Sequence, residues 1–254
     1  MPINLNLELT DHCNIKCKMC SQSMRDEAHG VPMKFMAWET WQKSLHNLQT
    51  FTDEIHLCPH WLGEPTLHPQ FNRFVEYAFA LNTGNRLFRE FKVHTNAVIF
   101  DESRAKLLLN LANMKSMAPD TFNFIHFSID AFSRDVYTEV KGADRREQVY
   151  RNVLRFIKMR TKMGFIRPFI TLAFVVQPDN AHEALTFHNY WKGILNEQQI
   201  YPRVTYDWPD RHIDTIYLRR LNCGDQQKAD LLHEEIVREL EIPLDRPLRS
   251  AESF

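Results

Sequence analysis

The sequence predicts an α/β fold in which strands and helices alternate around a curved parallel sheet with a polar interior. Three observations carry that expectation. Strand-like runs recur with helix-like stretches between them, which is the pattern of repeated βα units. The strand-like runs alternate polar and apolar residues, where strands buried on both faces read as continuous apolar runs. Three cysteines crowd into eight residues directly after the first run, in a chain with five cysteines in all. In a chain of this size that density favours metal binding or catalysis over a disulfide framework.

The strand candidates lie at about 3–10, 53–59, 89–96, 122–130, 169–177 and 202–207. Helical stretches fall between them at about 39–50, 67–82, 101–112, 132–140, 145–163 and 181–195, making six βα units. Pro178 ends the fifth strand, because a proline cannot continue a hydrogen-bonded ladder. Gln226 to Glu241 has leucine and isoleucine at helical spacing and is expected to form a terminal helix, with an irregular tail from Pro243 to Phe254. The expected division is a barrel over 1–210 and a C-terminal extension over 211–254.

The alternation places the polar residues on one face. In the first run Ile3, Leu5, Leu7 and Leu9 alternate with Asn4, Asn6, Glu8 and Thr10. In the third, Phe91 and Val93 alternate with Lys92, His94 and Asn96; in the fourth, Ile125, Phe127 and Ile129 alternate with His126, Ser128 and Asp130. With helices interleaved, the polar face is expected to line a ligand cavity inside the barrel. Asn6, Glu8, Lys92, His94, His126, Thr171, Gln177, Arg203 and Asp207 are the candidates to line it. Glu8, His94 and Asp207 are the expected proton-transfer groups, each with a structural hydrogen bond as the competing reading.

Composition narrows the partners. Thirty-one Lys and Arg against 32 Asp and Glu leave a net charge of −1, so no global field attracts nucleic acid or an anionic membrane. No stretch approaches the roughly 20 consecutive apolar residues of a membrane span. Met1-Pro2-Ile3-Asn4 shows no basic segment followed by an apolar one, so a cytoplasmic location is expected.

The cysteines read Cys13-x3-Cys17-x2-Cys20, on the loop after the first strand. Three thiolates can hold three irons of a cubane cluster and leave the fourth open to an exogenous chelator. A zinc site, with His12 as fourth ligand, is the alternative that spacing leaves open. A C-x3-C-x2-C motif after a first strand ending in Thr resembles the signature of the radical S-adenosylmethionine (SAM) superfamily. Met19 stands where the family commonly has an aromatic residue over the adenine. Gly63-Glu64-Pro65 resembles the family's Gly-Gly-Glu-Pro motif, with Leu62 replacing the first glycine. His94-Thr95-Asn96-Ala97 is close to its Thr-Asn-Gly, and Ser128-Ile129-Asp130, Tyr137 and Lys141-Gly142 are similar to its Ser-x-Asp, Tyr and Arg-Gly.

The resemblance covers about residues 3–208 and implies a partial (β/α)6, TIM-like barrel. It implies a [4Fe–4S] cluster on Cys13, Cys17 and Cys20, and SAM held by Met19, Gly63, Glu64, Pro65, Asn96, Ser128, Asp130 and Lys141. It implies that a reduced cluster cleaves SAM to a 5′-deoxyadenosyl radical, which takes a hydrogen atom from a small-molecule or peptide substrate. An electron donor such as flavodoxin or ferredoxin is the implied redox partner. A zinc-stabilised binding protein and a non-catalytic Fe–S electron carrier are the competing functions. Relatives with similar motifs carry a C-terminal domain with auxiliary clusters. Cys223 is the one cysteine after the barrel, so no auxiliary cluster is expected on this chain. Cys58, flanked at period two by His56 and His60, is read as a buried, inert thiol.

Overall fold

The computed structural model describes residues 2–23, 34–51, 54–118, 121–206 and 212–241. Seven strands form one parallel sheet: β1 Ile3–Asn6, β2 Ile55–Cys58, β3 Glu90–Thr95, β4 Phe122–Ser128, β5 Phe169–Val176, β6 Arg203–Thr205 and β7 Thr215–Arg220. Their order is β1-β2-β3-β4-β5-β7-β6, with β1 and β6 at the two open edges. Seven helices are described: α1 Trp38–Asn47, α2 Phe71–Asn85, α3 Glu102–Ala112, α4 Arg134–Lys141, α5 Arg146–Lys162, α6 Ala184–Glu197 and α7 Gln226–Glu239. The expected α/β fold with a partial, unclosed barrel is the observed one. None of the described helices is long and apolar enough to cross a membrane.

Two details correct the sequence reading. The sixth place in the sheet belongs to β7, which lies beyond residue 210, where the sequence suggested that the barrel ends. It pairs with β5 along Thr171↔Thr215 to Val176↔Arg220 and displaces the short β6 to the edge. The second detail concerns the helix expected from about 67: a 3-10 turn at Pro65–Leu67 comes first, and α2 begins at Phe71.

The alternation sorts side chains as expected. Leu57, Phe91, Val93, Ile125, Phe127, Ile170, Leu172, Phe174, Ile216 and Leu218 join the apolar core between sheet and helices. That burial dominates the stability of the fold. The opposite face carries Cys58, Lys92, His94, Phe124, His126, Thr171 and Tyr217, so a polar and aromatic wall lines the concave side. Local caps fix the loops at the C-terminal ends of the strands. Asp101 caps α3 by accepting from Arg104 N–H at 2.9 Å. Ser133 caps α4 by accepting from Val136 N–H at 3.3 Å. Gly142 ends α4 in the left-handed conformation, with φ +66°.

Candidate active site

The three cysteines sit on the loop that leaves β1 at the C-terminal edge of the sheet, where parallel α/β sheets place their chemistry. The loop is folded by its own residues. Thr10 Oγ1 accepts from His12 N–H at 3.0 Å and donates to Lys34 O at 2.8 Å. Cys20 N–H donates to Cys17 O at 3.0 Å, which makes the turn that brings the second and third thiols together.

Two neighbouring elements clamp the loop through glycine. On one side Glu64 N–H donates to His12 O at 2.7 Å, and a Cβ at Gly63 would lie 2.1 Å from Thr10 O. On the other side Lys18 N–H donates to Val140 O at 2.9 Å, and a Cβ at Gly142 would lie 2.2 Å from Lys16 O. Only a residue without a side chain allows backbone to approach backbone this closely.

The thiols are half-buried. Burial pushes the Cys13 thiol up to about 12, with smaller contributions from Glu64, Cys17 and Cys20. Burial raises Cys17 too, opposed by the charge of Lys141. Mutually repelling, partly desolvated thiols are unfavourable as free thiolates and are relieved by bound cationic iron. Among the described residues no three His, Cys, Asp or Glu side chains gather tightly enough to hold one metal ion. His12, the conceivable fourth zinc ligand, is stacked on Phe35 with centroids 4.5 Å apart. Three thiols on one short loop, with His12 held in that ring stack, suit the corners of an iron–sulfur cube.

The acidic residues that the sequence singled out are largely occupied in positioning. Glu8 Oε1 accepts from Leu62 N–H at 2.6 Å and Gly63 N–H at 2.7 Å, pinning the loop after β2 to the end of β1. Those two hydrogen bonds are the structural contacts that the sequence offered as the competing reading for Glu8. Glu64 is buried at 3% exposure. Its Oε1 accepts from Thr66 N–H at 3.1 Å, Thr95 Oγ1 at 2.8 Å and the Thr66 hydroxyl, while Oε2 accepts from Asn96 N–H at 2.7 Å. Burial raises the Glu64 carboxyl, against these hydrogen bonds. Pro65 starts the 3-10 turn, where its fixed φ suits the first helical position.

Asn96 reaches the cysteine loop directly. Its Nδ2 donates to Asn14 Oδ1 at 2.8 Å and lies 3.7 Å from Cys13 Sγ. Ala97 follows at φ +61°, the left-handed conformation that suits the glycine of the resembling motif. At the end of β4, Asp130 Oδ2 accepts from Lys141 Nζ at 2.6 Å, and Oδ1 accepts from Val175 N–H at 2.8 Å. Lys141 Nζ also donates to Ser128 O at 3.0 Å. Both members of the pair are almost fully buried. Burial disfavours the Lys141 charge, but Asp130, Cys17 and Tyr137 more than offset it, and the ammonium is held well above its ordinary value. Asp130 and Lys141, which the resemblance assigned to SAM, are each other's principal partners within the chain. Ser128 stays half-exposed beside them.

Met19 lies 4.0 Å, through its sulfur, from Gln177 Nε2 at the end of β5. His94 belongs to a column of rings on the concave wall. It stacks on His126 at 4.6 Å and 8°, and on His60 at 5.4 Å and 13°. Burial lowers His60 to about 4 and His126 to about 3, so the column is neutral at pH 7. His94 is lowered too, first by burial and then by its two histidine neighbours. Asp207, the third expected proton-transfer group, lies outside the described residues. Cys58 is buried, its thiol pushed up to about 12 by desolvation, as an inert thiol would be.

Sequence reasoning passed over several supporting residues. Thr66, Thr95 and Asn14 hold Glu64 and Asn96. Asn180 Nδ2 donates to Asp130 O at 2.7 Å and Val175 O at 2.9 Å, fixing the turn that carries Asp130. The Thr before Asn96 is the one local signal among them, since its hydroxyl follows a strand and caps Ala97 N–H at 3.0 Å.

A family model described as "Radical SAM superfamily" matches residues 7–189, which spans the cysteine loop and strands β2 to β5. The chain belongs to the radical SAM superfamily. The superfamily works with a [4Fe–4S] cluster and SAM. A curated relative, the tungsten-containing aldehyde ferredoxin oxidoreductase cofactor-modifying protein of Pyrococcus furiosus, is 21% identical over 84% of this chain and 54% of its own. Native anSMEcpe with bound AdoMet superposes with a TM-score of 0.60 at 17% identity, over 94% of this chain and 60% of that one. Streptococcus suis SuiB bound to precursor peptide SuiA gives 0.56 at 13% identity, over 95% of this chain and 47% of that one. The chain spans about half the length of the relatives it matches.

Proposed function

We propose that this radical SAM enzyme holds its cluster on Cys13, Cys17 and Cys20 and abstracts hydrogen from a small-molecule or peptide substrate in a modification pathway. The observation that carries the site assignment is the clamp. Gly63–Glu64 and Val140–Gly142 press on the cysteine loop from two sides, where a single Cβ would collide with backbone. A loop so constrained presents its thiols in one arrangement, and preorganisation of this kind is what a cofactor site needs. The bound cluster and SAM supply the electron transfer and the 5′-deoxyadenosyl radical.

The chain's own residues do the rest. Glu8 and Glu64 hold the loop after β2 against the cysteine loop, where it would meet the amino-acid end of SAM. Asn96 fixes Asn14 and the Cys13 side of the site. Lys141, locked by Asp130, places a fixed positive charge beside Cys17, and Ser128 offers a hydroxyl next to it. Met19, set against Gln177, covers the adenine side. The neutral histidine column and Tyr217 form the wall against which substrate lies. A peptide is one substrate class to test, since SuiB, similar in fold, is seen with a precursor peptide. A flavodoxin- or ferredoxin-like donor would reduce the cluster.

The test uses protein reconstituted with iron and sulfide without oxygen, reduced, and mixed with SAM. The parent is expected to release 5′-deoxyadenosine, and the Cys13→Ala/Cys17→Ala/Cys20→Ala variant none. A parent that binds zinc in place of iron, or that carries a cluster without cleaving SAM, would overturn the reading.

A further inference from the structure

The concave face of β7 carries a cation that the roles above leave unused. Residues alternate along this strand. Ile216 and Leu218 enter the core under the helices, and Arg220 Nη1 reaches Asp230 of α7 at 3.2 Å on that same outer side. Thr215, Tyr217 and Arg219 therefore face the barrel interior. Tyr217 meets the edge of His126, with centroids 6.2 Å apart, which fixes the direction. Arg219 stands two residues nearer the C-terminal mouth, paired in register with Val175, whose N–H donates to Asp130.

Its surroundings call for an anion. Arg219 is exposed and makes no hydrogen bond or ion pair among the described residues. Lys141, whose charge acts on His126 as that of Arg219 does, is already matched to Asp130 at 2.6 Å. The rings within reach of the Arg219 charge, His94 and His126, are neutral and cannot pair with it. His126, 6% exposed, leaves Nδ1 without a hydrogen-bond partner on the same wall. A guanidinium presents a planar fork matched to the two oxygens of a carboxylate or phosphate, and such charge-assisted pairs are the strong ones.

We propose that Arg219 receives an anionic group of the substrate, a carboxylate or a phosphate, while the substrate's body lies on Tyr217 and the His94–His126 stack. The word substrate rests on the radical SAM reading above; the anion site does not.

The probes are benzoate and phenyl phosphate, with benzamide and phenol as neutral counterparts of the same ring. Binding to the reconstituted enzyme is followed by calorimetry and by the imidazole 15N resonances of His94 and His126. At least one acid is expected to bind saturably, shift these resonances and bind about tenfold tighter than its neutral counterpart. Arg219→Gln should erase that tenfold preference, and Arg219→Lys should retain part of it. The tighter of the two acids tells carboxylate from phosphate. Three results would overturn the proposal: no saturable shift with either acid, an acid preference that survives Arg219→Gln, or a loss of SAM affinity in Arg219→Gln equal to the loss for the probes. The last would assign the arginine to the carboxylate of SAM. 5′-Deoxyadenosine release is measured on the same preparations. Release without an anion response defeats this inference alone, and an anion response without release defeats only the catalytic reading.

Discussion

Two buried ion pairs bracket the sheet, and they differ in what they leave over. At the N-terminal ends of β5 and β7, Arg160 forks onto Asp214 at 2.7 and 2.8 Å. The same guanidinium donates to Ile166 O and Pro168 O, and Asp214 also accepts from Ile170 N–H at 2.7 Å. Apart from Arg160 Nε, which has no hydrogen-bond partner, this pair spends itself on the backbone around it and staples α5 to the start of two strands. At the other end, Lys141 uses two of its three N–H groups, on Asp130 and Ser128 O, and its charge reaches Cys17. Arginine's rigid fork suits a closed structural pair, while a lysine point charge can be shared with a ligand. The floor of the barrel is built to be finished, and the mouth is built to be completed by something else.

The contrast breaks most visibly through the lysine. Lys141→Met leaves Asp130 buried without a counter-charge and should cost about 3–5 kcal/mol in denaturant unfolding. 5′-Deoxyadenosine release per folded molecule should fall with it. Arg160→Met should cost a similar 3–5 kcal/mol by the same argument, yet leave release per folded molecule intact. Equal losses of activity in the two variants would show that the ends of the barrel do not differ as described.

A smaller effect is expected from Glu8→Ala, which strips the acceptor from the Leu62 and Gly63 N–H groups. Orphaning these donors should cost about 1–3 kcal/mol and weaken SAM binding in equilibrium dialysis. An unchanged SAM affinity would mean that the loop holds its shape without the carboxylate.

The histidine wall gives a pH signature. His60 and His126 are held at about 4 and about 3, chiefly by burial. Above the unfolded value near 6.5 both states are neutral, so stability does not respond to these rings. Below it the unfolded chain takes up protons that the folded wall refuses. Stability should then fall by about 1.4 kcal/mol per pH unit for each ring. The fall continues to the folded values. His126→Phe should flatten the slope between pH 6.5 and 5.5 by one ring's share in urea unfolding; an unaltered slope would place the proton elsewhere. Ala97→Gly is the mildest change. It relieves the side chain at φ +61° and should stabilise by no more than about 1 kcal/mol.

Much of the molecule was legible in one dimension. Strand-like runs marked the first five strands within a few residues, and in the first, third and fourth the period-two alternation also gave the faces, because the side-chain period of a strand is local and independent of its partners. The cysteine motif and its place after β1 were equally local, and the family match falls on the same residues. β7 was not legible. It begins at Thr215, only ten positions after β6 ends at Thr205, so the strand–helix rhythm passes over it, and its place beside β5 depends on residues more than forty positions away.

The same limit explains the carboxylates. Local sequence makes Glu8, Glu64 and Asp130 visible as acids on a polar face, and it does nothing to show which lone pairs are already taken. Glu8 is claimed by backbone 54 and 55 residues on, Glu64 by Thr95 and Asn96, and Asp130 by Lys141 and Val175. Composition, spacing and alternation thus determined the class of chemistry and the strand ends that carry it. The tertiary structure alone decided which polar groups are spent on the scaffold and which, like the Arg219 side chain, make no hydrogen bond or ion pair among the described residues. A hydrogen bond or an ion pair is settled by proximity in space, and only the folded chain supplies that.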